Sequence, residues 1–272
     1  MPGTGNNIMG TKQRLTIRIS NTSLLIAVAD PEASQPVEME PFILKSGISI
    51  SANMREAFKS ADLLQMGYKR VQVLIDAPVL MIPTEMFNEN DINALYYHSF
   101  PELKGVFVLF NVLPDLNAVA VFSISKDLKM VIEDNIPDVK YIVAMAPVWR
   151  QLHQRSYTGA RQKLYGYFHD SKLDIFSFKN NRFRFCNSFN AKHSLDALYF
   201  LLYVWKQTGL DVKQDEMHLV GNIPDKDLLT EKLREYLRNA YIINPVADYN
   251  RAPATQIKGM TYDMMTLLIK GR

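Results

Sequence analysis

The order of its predicted elements constrains this chain most. Alternation of apolar and polar residues in Arg14-Leu15-Thr16-Ile17-Arg18-Ile19-Ser20 predicts a half-buried strand, and 23–30 predicts an apolar strand beyond a Ser20-Asn21-Thr22 turn. A short strand at 41–45, a helix at 51–66 stopped by Gly67, and a buried strand at 71–76 complete the first series. Past residue 160 the order returns, with strands at 163–169, 172–178 and 182–187, a helix at 193–207, a strand at 216–220 and a helix at 225–239. Each half reads strand, strand, strand, helix, strand, helix, although the residues barely match, and an internal duplication explains that order.

Between the two series lie a strand at 79–83, a helix at 89–97, strands at 105–112 and 117–125, a helix at 126–135, a strand at 141–146 and a helix at 147–157. A strand at 241–244 and a helix at 262–270 close the chain. The expected organisation is a flexible tail at 1–13, a first lobe at 14–136 with a small α+β insertion at about 83–125, and a second lobe at 137–272. Helix 262–270 is placed either with its own lobe or packed back on the first.

With 272 residues, 47% of them hydrophobic, the chain has apolar surface enough for two ordinary α/β lobes. A net charge of +3 is far from the dense basic balance that a nucleic-acid partner calls for. One cysteine, Cys186, cannot form an internal disulfide, and its strand setting predicts an inert buried thiol rather than a nucleophile. No apolar stretch reaches the twenty or so residues of a membrane span, and the polar amino terminus lacks a signal-peptide core. These features predict a soluble, cytoplasmic protein.

Three antiparallel strands leading through a helix to a parallel strand, twice over, resembles the actin-like ATPase superfamily of sugar kinases, heat-shock chaperones, actin and bacterial actin-like assembly proteins. The strand-helix-strand-strand insertion after the fourth strand is similar to that of the actin-like components of pilus assembly and secretion machines. The chain also resembles an uncharacterised bacterial family of unknown function placed with actin-like folds. The resemblance implies duplicated ribonuclease-H-like lobes with ATP between them, phosphates wrapped by two glycine-bearing hairpin loops, and an aspartate that holds the metal or its water.

Those loops depart from the pattern. Where the first hairpin of the superfamily runs approximately I-x-I-D-x-G-T, this chain has Leu15 to Thr22, with Arg18 at the aspartate and Ser20 at the glycine. An arginine there removes a magnesium-facing carboxylate and adds a cation, which disfavours metal-assisted phosphoryl transfer. Arg18 itself is expected as a solvated strand position, with a phosphate contact as the alternative. In the second hairpin, Tyr165 to Asp174, only the closing Asp174 stays in register and the turn has no glycine. An outward-facing strand position is expected for Asp174, with a remnant of the phosphate loop as the alternative. Leu219-Val220-Gly221-Asn222-Ile223-Pro224 resembles the adenosine loop with Asn222 at its second glycine, and asparagine's tolerance of positive φ can preserve the turn.

The degenerate cleft is therefore marked by Arg18, Ser20, Asn21, Thr22, Asp174, Gly221 and Asn222. No catalytic residue, metal ligand or cofactor is expected, with ATP as the alternative. His169 and Asp170 are considered as an acid/base pair and set aside, because adjacent strand residues point to opposite faces. Common nucleotide, hydrolase and zinc-protease motifs are absent, and the five histidines are scattered. Arg182 and Arg184 are expected on one strand face, solvated, with Phe183 and Phe185 packed on the other. Arg150, His153, Arg155, Arg161 and Lys163 are expected as a solvated face, with an acidic partner or RNA as the alternative ligand. The leading functional expectation is a non-catalytic actin-like scaffold with a protein partner. The alternatives are a nucleotide- or phosphorylated-ligand-binding protein and an RNA-associated factor.

Overall fold

The computed structural model describes residues 13–30, 33, 35–157, 160–180 and 182–271, so the tail expected at 1–13 lies outside the described residues apart from Gln13. In the first half, strands β1 (Arg14–Ile19), β2 (Leu24–Ala29) and β3 (Val37–Phe42) are followed by helix α1 (Ile50–Ser60) and strand β4 (Arg70–Ile75). Next come β5 (Leu80–Pro83), α2 (Ile92–Ser99), β6 (Val106–Leu113), β7 (Ala118–Ser125), α3 (Lys126–Asn135), β8 (Val139–Val143) and α4 (Met145–Ser156). The second half runs β9 (Lys163–His169), β10 (Lys172–Lys179), β11 (Arg182–Asn190), α5 (Ser194–Gln207), β12 (Glu216–Gly221), α6 (Lys226–Tyr236), β13 (Ala240–Ile242), α7 (Pro245–Asp248) and α8 (Tyr262–Lys270).

The duplication is visible in the hydrogen-bonded order of the two main sheets, β3-β2-β1-β4-β8 and β11-β10-β9-β12-β13. In each, an antiparallel three-strand meander carries parallel strands on its inner side, which requires the crossover helices that the sequence supplies. Strand β8 pairs with β4, so the first sheet extends to Val143 and the expected lobe boundary at 136 moves past it. The repeat therefore has a fifth strand in each half. The insertion is a separate three-stranded sheet, β5-β7-β6, covered by α2 through Ile82, Ile92, Tyr96, Val108, Val119 and Val121.

Helix α1 is shorter than the periodicity of 51–66 predicts. Its end is set by tertiary contact: the Glu40 carboxylate on β3 accepts from the amides of Asp62 and Leu63 at 3.2 and 2.9 Å, drawing those groups out of the helical pattern. Pairing of Ala29 with Val37 likewise starts β3 four residues earlier than the sequence suggests.

The two helices that close the lobes are exchanged. Helix α8 lays Met264 against Leu25, Ala27 and Leu74 of the first sheet. Helix α4 turns Trp149 and His153 onto Phe183 and Phe178 of the second, with ring centroids 5.2 and 5.0 Å apart. Each helix also packs on the other. One apolar cluster consequently runs from Ile17 and Ile26 through Val148 and Trp149 to Tyr165, Tyr167 and Phe176, fusing the lobes along their length. Each fully buried aliphatic side chain in such a cluster contributes roughly 1.5–3 kcal/mol.

Two expectations about the second meander change. A bulge between Ser177 and Phe178 shifts the register on β11, so Phe183 faces the inter-lobe core whereas Phe185 faces α5. The arginines follow different partners: Arg182 donates to Glu85 of the insertion at 2.6 Å, and Arg184 to Gln162 at 2.9 Å and to the Thr208 carbonyl. The basic run at 150–163 forms no continuous solvated face either. His153 and Lys163 are buried, Lys163 donates to the Arg155 carbonyl at 3.0 Å, and Arg155 pairs with Asp248.

Candidate functional site

Two hairpin tips and the start of α8 meet where the lobes face each other. Along β1, Ile17 and Ile19 enter the apolar core, so alternation turns Thr16 and Arg18 to the opposite face, beneath α8. Arg18 is wholly buried there. Its Nε donates to Asp263 Oδ2 at 2.7 Å, its Nη1 to Ser23 Oγ at 2.9 Å and its Nη2 to Asp170 Oδ2 at 2.7 Å. The expected solvated arginine is thus corrected: the face that would meet solvent on a two-layer sheet is covered by the exchanged helix. Burial alone would depress the guanidinium pKa, but the charges of Asp263 and Asp170 raise it, so the residue is a permanent cation.

The first hairpin closes on itself. Ser20 Oγ accepts from the backbone amides of Thr22 and Ser23 at 3.2 and 2.9 Å, so two N–H groups that a phosphate loop would present are consumed by a side chain. Asn21 is exposed at the tip. The hydroxyls of Thr22 and Ser23 donate to Asp170 Oδ1 at 3.0 and 2.9 Å. With Arg18 on its other oxygen, the Asp170 carboxylate sits in the first hairpin as an anion would.

Asp170 reaches that position because it has left strand geometry. It and Ser171 form the β9–β10 turn with φ of +46° and +60°, and aspartate tolerates the left-handed region better than most side chains. The opposite-face expectation for His169 and Asp170 is therefore overturned: their side chains meet, His169 Nδ1 lying 3.2 Å from Asp170 Oδ2. His169 Nε2 is 2.5 Å from Asp174 Oδ2, so both ring nitrogens face carboxylates. Burial disfavours the imidazolium, but hydrogen bonds to Asp170 and Asp174 and the charges of Asp174 and Asp76 prevail and raise its pKa to about 10. Arg18 Nη2 also lies 3.3 Å from His169 Nδ1. Burial would raise the Asp170 pKa, yet His169 and Arg18 hold it well below the usual carboxylate range.

Asp174 is buried, not outward-facing, because β10 lies under the first lobe and its cleft side is covered. Gly221 and Asn222 serve the turn after β12. Gly221 has φ of +99°, and a Cβ there would fall 2.1 Å from the Phe168 carbonyl oxygen, which accepts from the Asn222 amide at 2.9 Å. Asn222 is not among the positive-φ residues; the left-handed position is Asp225, at +38°. The glycine is explained by close backbone approach to β9.

Three acidic residues that the motif comparison passed over complete the cluster. Asp76 follows β4 and accepts from Lys172 Nζ at 2.8 Å, across the lobes. Asp263 opens α8, wholly buried. Asp170 is the third. Two signals point to these positions: Asp76 ends a parallel strand, where open α/β sheets collect ligands, and Asp263 interrupts an apolar helix. Ligand atoms of Asp76, His169 and Asp170 lie within 4.8 Å of one another. In this arrangement Lys172 and Arg18 already pair with the Asp76 and Asp170 carboxylates.

Two lobes of one strand order with exchanged closing helices, facing each other across paired hairpin tips, define the actin-like ATPase fold. A protein of actin-like ATPase fold and unknown function from Bacteroides thetaiotaomicron is 27% identical, with 95% of this chain and 96% of that one covered at a TM-score of 0.82. A chain of the PilM-PilN type IV pilus biogenesis complex is 12% identical over 95% of this chain and 98% of that one, at 0.62. No curated protein matches. The chain belongs to the family described as Protein of unknown function (DUF3822), which matches residues 4–240. No helix among the described residues is long and apolar enough to cross a membrane.

Proposed function

We propose that this protein is a non-catalytic actin-like module whose lobes are latched by its own side chains and whose outer surfaces bind a protein partner. The observation that carries this reading is the salt bridge from fully buried Arg18 to Asp170, made where the fold's phosphate loops would bracket a nucleotide. Asp170 stands in for the anion and Arg18 for the cation, so each loop satisfies the other. The self-capped Ser20 turn and the Lys172–Asp76 bridge support the same reading. One protein of the same fold has been solved as part of a two-protein complex, PilM-PilN, which agrees with a partner-binding role.

Titration calorimetry with ATP and with ADP, each with magnesium, tests the reading. No heat of binding at millimolar nucleotide is expected for the wild type, and Asp170→Asn is expected to leave that result unchanged. Saturable binding by the wild type would overturn it in favour of a nucleotide-responsive protein. Binding by Asp170→Asn alone would favour a phosphorylated-ligand site that the latch occludes.

A further inference from the structure

Two arginines of β1 stand on the sheet face that α8 covers, and they are provided for differently. Arg18, near the start of α8, has Asp263 and Asp170. Arg14, at the other end of the strand, lies in register beside Arg70 of β4, and among the described residues neither pairs with a carboxylate. Arg14 Nη1 donates to the Gly271 carbonyl just past α8, and no hydrogen bond from a described residue holds the Arg70 guanidinium. Asp30, which follows the Ala29 partner of Arg14 on β2, accepts from Gln13 at 2.9 Å instead. Like charges side by side on neighbouring strands are destabilising, and two guanidinium forks left together suit an anion between them.

These arginines rim a cavity of about 390 Å³ between α8 and the first sheet. Val37, Pro253, Leu267 and Leu268 supply its apolar wall, and no acidic residue lines it. Gln72, only 7% exposed, is set into that wall. Its Nε2 donates to Thr16 Oγ1 at 2.9 Å, and its Oε1 meets no donor among the described residues. The Thr16 hydroxyl can donate as well as accept, so a turn of the amide gives Oε1 the Thr16 proton and presents the NH2 to an incoming anion. An apolar cavity of this size with a few convergent polar groups has the usual form of a small-molecule site.

We propose that the cavity binds a small aliphatic monocarboxylate, its head between Arg14 and Arg70 and its chain along Leu267 and Leu268. The planar guanidinium matches a carboxylate in shape. The carboxyl end of α8 carries partial negative charge beside Arg14, which favours one negative charge on the ligand over two. The cavity lies at the opposite end of β1 from the latch, so either can stand without the other.

Titration calorimetry of the full chain at neutral pH with decanoate, up to about 2 mM, tests it. Saturable one-to-one binding is expected, and decylammonium, with the same chain and the opposite charge, should give none. Arg70→Gln, at an exposed position, should weaken decanoate at least about tenfold while thermal unfolding of the unliganded protein is unchanged. Ala29→Phe, which fills the cavity from β2, should weaken it as much from the apolar side. No saturable binding of decanoate, equal binding of decylammonium, or an unchanged affinity in either folded variant would overturn the proposal.

Discussion

The cleft walls of the two lobes are built on one topology and opposite chemistry. Arg18 is the fifth residue of β1 and lies opposite Leu74 on β4; the fifth residue of β9, opposite Val220 on β12, is Tyr167. By the same register, Thr16 corresponds to Tyr165 and Ser20 to His169. The first lobe thus offers a cation and hydroxyl donors, the second an aromatic floor with carboxylates at its rim. Tyr167 stacks on His169 at 4.6 Å, and its hydroxyl receives the Asp263 amide at 3.4 Å. Two walls retaining one phosphate chemistry would both need an anion between them. Here the two walls, of opposite sign, pair with each other through Arg18 and Asp170.

Breaking the cation has the largest expected effect. Arg18→Ala leaves Asp170 and buried Asp263 without their partner, and loss of one side of a buried ion pair costs about 3–5 kcal/mol. Urea unfolding should show it as a lower midpoint at unchanged slope. Gly221→Ala should come next, at more than about 1 kcal/mol, because the residue holds positive φ and its Cβ would collide with β9. By contrast Lys172→Ala breaks a bridge with a partly exposed lysine and should cost about 1 kcal/mol or less.

The aromatic wall can be tested by pH. His169 titrates at about 10 in the folded state against about 6.5 unfolded, so its stabilisation is complete below about 6.5 and is lost as pH rises through about 10. Between those values the folded state holds a proton that the unfolded state does not. Stability should therefore fall by up to about 1.4 kcal/mol per pH unit, and His169→Gln should flatten that slope. Asp170, lowered in the folded state, acts in the opposite direction: its contribution is present above the ordinary carboxylate pKa and is lost as pH falls through the depressed value.

How much of this was legible in the sequence follows from what each feature depends on. Strand order depends on local alternation and turn residues, and the order of the two main series matches the structure. That Arg18 and Ser20 depart from the loop pattern is also legible, since both stand in the first hairpin. Their destination is not. Arg18 looks solvated because a strand shows two faces and nothing local says that α8, 245 positions later, covers the second. Asp170 looks turned away from His169 until the left-handed turn brings it back. Asp174 looks outward until the opposing lobe is set over it, and Phe183 parts from Phe185 only through a bulge. Each miss is a tertiary effect overriding a local rule.

A double-mutant cycle on Arg18→Met and Asp170→Asn tests most directly whether the lobes hold each other through these two loops. Coupled partners in one buried network should give an interaction energy of about 1–3 kcal/mol, the double variant being more stable than the sum of the single losses. Additivity within about 0.5 kcal/mol would mean that the two side chains do not sense each other, and the latch would not exist.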